Sequence, residues 1–374
     1  MRITAIDTQR LRLPLEPPFR AAWDPQPRRT FDATLVRVQT DEGLVGVGSG
    51  DTMAGFGEFE HLFIGADPLA IARHVRTLET ISFHAGRFWP LELALWDLAG
   101  QACGQPVATL LGGAAERVPA YASWGELRSA EQRAEDAQAL VEQRFHGVKL
   151  RIARGRIDQG LAAVAAVRAA VGDRLAIIVD LNQWWRMPGD IERGLDPAEA
   201  LSLVERLREH GVLWVEEPLD GDDRAGMRLL RQRTGVRIGG GEMARTFAEL
   251  RGALEQDALD VYQPDAALTL GISGARTLAE LVLRANRWFT PHTWTNGVGL
   301  LANLHVCAGV GGGPMIEFPY DPPAWTPQRR DFLLAEPILP DADGMLVVRP
   351  APGLGIALDE EAVAYHALED AART

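Results

Sequence analysis

LAIIVDLN at residues 175–182, VLWVEEP at 212–218 and IGGGEM at 238–243 are short, mostly apolar runs, each carrying an acid near its end: Asp180, Glu216 and Glu242. The three acids stand 36 and then 26 residues apart. A strand, a helix and two loops take about 30 residues in a (β/α)8 barrel, where roughly 250 residues are shared among eight units. Carboxylates with that period, each at the carboxyl end of a strand, arrive at one rim, and active sites of such barrels sit at that rim. Three converging carboxylates repel unless a cation lies between them, so the spacing predicts a divalent metal site.

The rhythm continues outward from these runs. VPAYASW, GVKLRI, LDVYQPD, RWFTPH and PMIEF complete a set of eight strand candidates, with helical runs such as SAEQRAEDAQALVEQRF and DPAEALSLVERLREH between them. Asp265, His292 and Glu317 follow Glu242 at intervals of 23, 27 and 25 residues. Eight strand candidates in βαβα order over residues 117–330 fit a barrel better than an open sheet, and alternation alone does not settle closure. Residues two apart on a strand share a face, so Lys149 with Arg151, and Asp180 with Asn182, are expected to point into the mouth together. Glu216 and Glu217 are neighbours on opposite faces; Glu216 is read as the inward one. A His beside a buried Asp on the next strand end suits a general base, because the carboxylate fixes the tautomer and raises basicity.

The flanking segments read as a second domain, an α+β cap over residues 1–116. MRITAIDTQRLRLP and ATLVRVQTDEGLVGVGSG alternate like antiparallel strands, with a turn at Asp41-Glu42-Gly43. Residues 18–31, PFRAAWDPQPRRTF, read as a mobile loop. FWPLELALWDLAGQACGQPVATLLGG reads as a helical run stopping at Gly112-Gly113. The tail over 331–374 is expected to pack back on the cap and cover a sheet edge. Trp184 and Trp185 read as packing residues. The net charge of −13 argues against nucleic acid and acidic membranes as partners, but not against an anionic substrate. Two cysteines, Cys103 and Cys307, give no disulfide framework, and no apolar stretch reaches spanning length. A cytoplasmic enzyme is the expectation.

With these residues in place, the chain resembles the enolase superfamily, in its mandelate racemase subgroup, over essentially the whole length. The LELALWDLAGQACGQPVATLLGG segment that joins cap to barrel is part of the resemblance, which implies a modified TIM barrel of the (β/α)7β kind under an α+β cap. The resemblance implies that Asp180, Glu216 and Glu242 bind Mg²⁺ and that His292 with Asp265 forms a base dyad. It implies that Lys149, the first position of a Lys-x-Lys motif, contacts a substrate carboxylate, that Glu317 bonds the same carboxylate, and that Asn182 touches substrate or metal shell. Two loops, 18–30 and 48–59, would close the mouth and choose the substrate, through Phe19, Arg20, Trp23, Met53 and Phe56. A homo-oligomer is implied by family habit alone.

The second position of the motif is Arg151 rather than Lys. A guanidinium keeps its proton, with a pKa above about 12, so it makes a poor base. With one ready base, His292, the expected reaction is dehydration of a sugar acid or other hydroxy acid to a 2-keto acid. Racemisation or epimerisation is the alternative. A cycloisomerase of the muconate type is disfavoured, since that subgroup carries Lys where this chain has Asp265. A non-catalytic relative that binds a carboxylate or a partner protein would have lost a dyad or metal residue, and none is lost. Oxygen-only ligands favour Mg²⁺ over Zn²⁺.

Overall fold

A computed structural model describes residues 1–50 and 53–368; Asp51 and Thr52, within the expected 48–59 loop, and the last six residues lie outside it. The first domain starts with an antiparallel meander of β1 (Ile3–Phe19), β2 (Arg28–Thr40) and β3 (Val45–Gly50). Strand β1 is longer than expected. Its pairing reaches Phe19 opposite Arg28, which shrinks the expected loop to residues 20–27. The turn before β3 is as read, with Gly43 in the left-handed region at φ +83°.

Helix Trp89–Cys103 lies against this sheet, and β3 is VGVGSG because the helix backbone comes so close. A Cβ on Gly46 would stand 2.1 Å from the Ala94 carbonyl oxygen, and one on Gly48 would stand 2.0 Å from that of Pro90. The helix is buried nearly all round, with the cap sheet on one side and barrel helix Gly271–Arg284 on the other. It ends at Gly104, in the left-handed conformation, and Pro106 then blocks renewal, so a separate turn of helix covers Val107–Leu110. The helical run therefore breaks eight residues before Gly112.

Eight parallel strands follow: β4 (Arg117–Ser123), β5 (Gly147–Arg151), β6 (Ala176–Asp180), β7 (Trp214–Glu216), β8 (Arg237–Gly240), β9 (Val261–Tyr262), β10 (Trp288–Phe289) and β11 (Ile316–Pro319). One main helix stands between each successive pair, the (β/α)7β arrangement read from the sequence. The sheet curls so that β11 pairs with β4 in parallel. Between β10 and β11 there is no ladder. That seam is bridged by the Thr290 hydroxyl donating to the Met315 carbonyl at 2.6 Å and the Thr293 hydroxyl donating to the Glu317 carbonyl at 2.8 Å.

The C-terminal segment serves both domains. Strand β12 (Met345–Val347) pairs antiparallel with the start of β4, while Leu333 and Val363 pack with Leu11, Ala33 and Leu35 of the cap. No helix among the described residues is long and apolar enough to cross a membrane.

Candidate metal and catalytic centre

Strand alternation builds the centre in two storeys. Tyr121, Ile178, Trp214, Val261 and Met315 form one buried apolar cluster inside the barrel. Two residues after each comes a polar partner on the same face: Ser123, Asp180, Glu216, Gln263 and Glu317. The lower storey keeps water from reaching the upper one from below.

Asp180 and Glu216 close β6 and β7, as the sequence suggests. Glu242, Asp265 and His292 instead lie two or three residues beyond β8, β9 and β10. The causes are local. Gly241 takes φ +103°, while Pro264 and Pro291, each one residue before the functional side chain, have no N–H with which to continue a ladder.

Asp180, Glu216 and Glu242 are buried and offer carboxylate oxygens within 4.8 Å of one another. The donor set is all oxygen, which fits Mg²⁺ and not the His/Cys preference of Zn²⁺. Lys149, wholly buried, stands 2.7 Å from both Glu216 and Glu317 and 3.5 Å from Asp180. Burial alone would lower its pKa, but Glu216, Glu317 and Asp180 outweigh that and push it up, so Lys149 is a fixed cation. Arg151 pairs with Asp180 and bonds the Asn182 side chain at 3.1 Å and the Trp124 carbonyl at 3.1 Å. Its guanidinium lies over Trp23 at 4.6 Å and near Trp294 at 5.8 Å. Here too burial is outweighed, by Asp180 and Glu317, and the pKa is raised further.

His292 Nδ1 lies 3.0 Å from Asp265 Oδ2. A carboxylate only accepts, so Nδ1 carries the proton and Nε2 faces the mouth, 3.5 Å from Glu242. Asp265 is itself held by the Ala267 N–H and the Asn303 amide. Burial pulls the imidazole pKa down, while Glu242, Glu317 and Asp265 push it up to about 9. A cation on the triad cancels much of that field.

Three residues differ in detail from the expectation or extend it. Glu317 points Oε1 at Lys149, and its Oε2 accepts the Thr293 N–H. Burial would raise its pKa, but Lys149, His292 and Arg151 hold it below the usual carboxylate range. Glu217 does not turn away from the mouth as alternation suggested. It lies past the end of β7 at φ +48°, and it too is fully buried. Trp185 does more than pack, since its indole N–H donates to Glu242 at 2.9 Å.

The loop residues divide. Trp23, with Arg151, Arg154, Arg156, Asn182 and Trp185, lines a cleft of about 580 Å³. Phe19 sits behind it, stacked on Trp294 at 5.7 Å. Arg20 is exposed, and its backbone N–H bonds Glu126. Met53 and Phe56 belong to the cap core, where Phe56 packs on Phe63 and Phe88. Two holders of the centre escaped the sequence reading. Gln263 bonds Glu216 at 2.7 Å, and its place two residues before Asp265 was an available signal; Asn303, on a helix, gave none.

Comparison with known proteins agrees with this geometry. Residues 5–112 match the mandelate racemase / muconate lactonizing enzyme N-terminal domain, and residues 132–362 match the enolase C-terminal domain-like model. The chain is 28% identical to D-galactarolactone cycloisomerase of Agrobacterium fabrum, over 99% of this chain and 100% of that protein. It is 27% identical to L-talarate/galactarate dehydratase of Salmonella typhimurium, over 88% and 81%. A Bordetella bronchiseptica RB50 protein crystallised with 2-oxoglutarate/phosphate superposes with a TM-score of 0.86 at 30% identity, over 98% of each chain. The curated relatives thus span sugar-acid dehydratases, racemases or epimerases, and cycloisomerases. Matched in both domains, the chain belongs to the mandelate racemase and muconate lactonizing enzyme family of the enolase superfamily.

Proposed function

We propose that this protein removes the proton α to a carboxylate with the help of Mg²⁺ and dehydrates a sugar acid or related hydroxy acid to a 2-keto acid. The observation that carries the reading is the asymmetry of the mouth. His292 has a free Nε2 on one side, while the cation on the other, Arg151, is locked in its protonated form by Asp180 and Glu317. Such a site has one base.

Mg²⁺ held by Asp180, Glu216 and Glu242 would supply charge stabilisation for the enediolate that proton removal creates. The residues do the rest. Lys149 draws in the substrate carboxylate, and Glu317 holds Lys149 in line. His292 Nε2 takes the α-proton as the carboxylate-bearing carbon becomes planar. The C–O bond at the β-carbon then breaks, and the imidazolium returns the proton to the departing hydroxide, giving water and an enol. The enol tautomerises to the 2-keto acid. Asn182 and Arg151 are the groups to meet the substrate hydroxyls, and the polar cleft lined by Arg156, Arg154 and Asp190 suits a second polar end. The partner is thus a small carboxylate, with no role for nucleic acid or membrane; a homo-oligomer in the cytoplasm is the setting proposed.

The test is a panel of sugar acids, aldaric acids, their lactones and α-hydroxy acids, incubated with Mg²⁺ in D₂O and followed by NMR. Keto-acid formation is the expected result. Deuterium at the α-carbon without keto acid would replace dehydration by epimerisation, and lactone isomerisation would replace it by cycloisomerisation.

A further inference from the structure

Glu217 has no part in the reaction above, yet it is among the most constrained side chains of the mouth. It is fully buried, and neither carboxylate oxygen has a hydrogen-bond partner. Its neighbours are provided for: Glu216 has Lys149 and Gln263, and one oxygen of Glu242 has the Trp185 indole. The backbone at Glu217 is left-handed, a conformation strained for a non-glycine residue. It is held there from both sides, the N–H donating to the Gly239 carbonyl and the carbonyl accepting the Gln183 N–H, both at 2.9 Å.

This backbone turn is what allows two successive glutamates to be buried at one rim. Its direction follows from Gly240: a Cβ built there would stand 3.4 Å from Glu217 Cγ. Gly240 is two residues before Glu242, so the side chain lies between the ends of β7 and β8, beside the triad. Glu217 is nevertheless not one of the carboxylates that close to within 4.8 Å. A buried carboxylate without donors is strongly disfavoured. Mg²⁺ sheds its water reluctantly and keeps several waters in protein sites, and each of these waters presents protons that need acceptors.

We propose that Glu217 is a positioning residue outside the triad, whose two open oxygens accept hydrogen bonds from the waters retained by the bound cation. It thereby sets both the affinity and the choice of cation, favouring one that stays hydrated over one that is readily stripped. The inference rests on the metal reading above.

Calorimetric titration of the full-length protein with Mg²⁺ and with Ca²⁺ tests it, using wild type, Glu216→Gln and Glu217→Gln. Glu216→Gln is expected to abolish Mg²⁺ binding. Glu217→Gln is expected to keep a wild-type or higher Tm and to weaken Mg²⁺ by about 10-fold or more, the range found for outer-shell partners. Ca²⁺ should weaken by a smaller factor. A role in packing alone would move Tm and leave the Mg²⁺/Ca²⁺ ratio untouched. Mg²⁺ binding by Glu217→Gln within twofold of wild type overturns this inference and leaves the metal reading intact. Absence of Mg²⁺ binding in wild type overturns both. Independently of any variant, water-proton relaxation of Mn²⁺ bound to wild type must show retained water; none retained overturns the proposal.

Discussion

At the scale of single residues, His292 and Arg151 divide the work by what each can do with a proton. His292 has its Nδ1–H committed to Asp265, so only Nε2 is left to act. His292→Asn removes that nitrogen and little else. Turnover should fall by about 10²–10⁴-fold, the usual worth of a general base, with Mg²⁺ affinity and Tm held. Near-normal kcat in this variant would refute the base assignment. Arg151 makes a fork that a primary amine cannot reproduce. In Arg151→Lys, loss of charged hydrogen bonds worth about 1.5–3 kcal/mol should cut dehydration by about 10–100-fold. The new amine should also introduce α-proton exchange from the opposite face, visible as an epimer by NMR. An unchanged product distribution would mean that the identity of this residue does not select the reaction.

At the scale of elements, two buried groups join helices across the domain boundary and give stability opposing pH slopes. Glu92, on the cap helix, accepts the Ser273 N–H and the Trp96 indole N–H; burial outweighs these bonds and pushes its pKa from 4.5 up to about 7. The folded state then holds a proton that the unfolded chain has lost, so its contribution declines as pH rises from about 4.5 to 7. His305 accepts the Ala108 N–H at Nδ1 and donates from Nε2 to the Leu354 carbonyl. Burial pulls its pKa from 6.5 to about 4, so its contribution is lost as pH falls through that window. Each slope amounts to about 3 kcal/mol at 1.36 kcal/mol per pKa unit, and they oppose each other between pH 4.5 and 6.5. Wild type should therefore be nearly level across that window. Glu92→Gln should grow steadily more stable as pH rises, and His305→Gln steadily less, in urea unfolding midpoints at pH 5, 6 and 7. Parallel curves for all three proteins would refute the assignment.

The same scale shows what the sequence could tell. The barrel was legible because its signal is periodic: each strand run is apolar enough to be seen, and Asp180 and Glu216 end theirs. Glu217 was misread because alternation fails one residue past a strand, where a left-handed turn redirects the side chain. Phe56 was misplaced because a loop name does not say which way an aromatic points, and here it faces Phe63 and Phe88. Asn303 was invisible, since its contact with Asp265 spans 38 residues and depends on how one helix packs over the rim.

At the scale of the whole molecule, an acidic protein gathers mixed charge at its mouth. Lys149 and Arg151 sit among the carboxylates, and the cleft beside them carries Arg154, paired with Asp190, and Arg156. A second cavity of about 550 Å³ lies at the other end of the strands, where Arg231 and Arg287 are paired with Asp257 and Asp260. A cation on the triad would tip the balance at the mouth towards anions. Thr293→Val tests the frame that holds it. Loss of the hydroxyl bond to Glu317 should raise amide hydrogen exchange around 288–293 and 315–319 and lower kcat several-fold, at a stability cost of about 1 kcal/mol. Exchange confined to the loops would show that this bond is dispensable.

The seam between β10 and β11 gives that test its wider meaning. His292 hangs from one lip, and Glu317, with Lys149 in its grip, stands on the other. Elsewhere the hoop is woven from backbone ladders; here it is riveted at a few points, by two hydroxyl groups, the Thr293 N–H on the Glu317 carboxylate and the Gly313 N–H on the Phe289 carbonyl. A riveted joint gives way before the weave does. The proton acceptor and the carboxylate clamp therefore lose their alignment at the first loosening of the ring, and on gentle heating the chemistry should fail while the fold still stands.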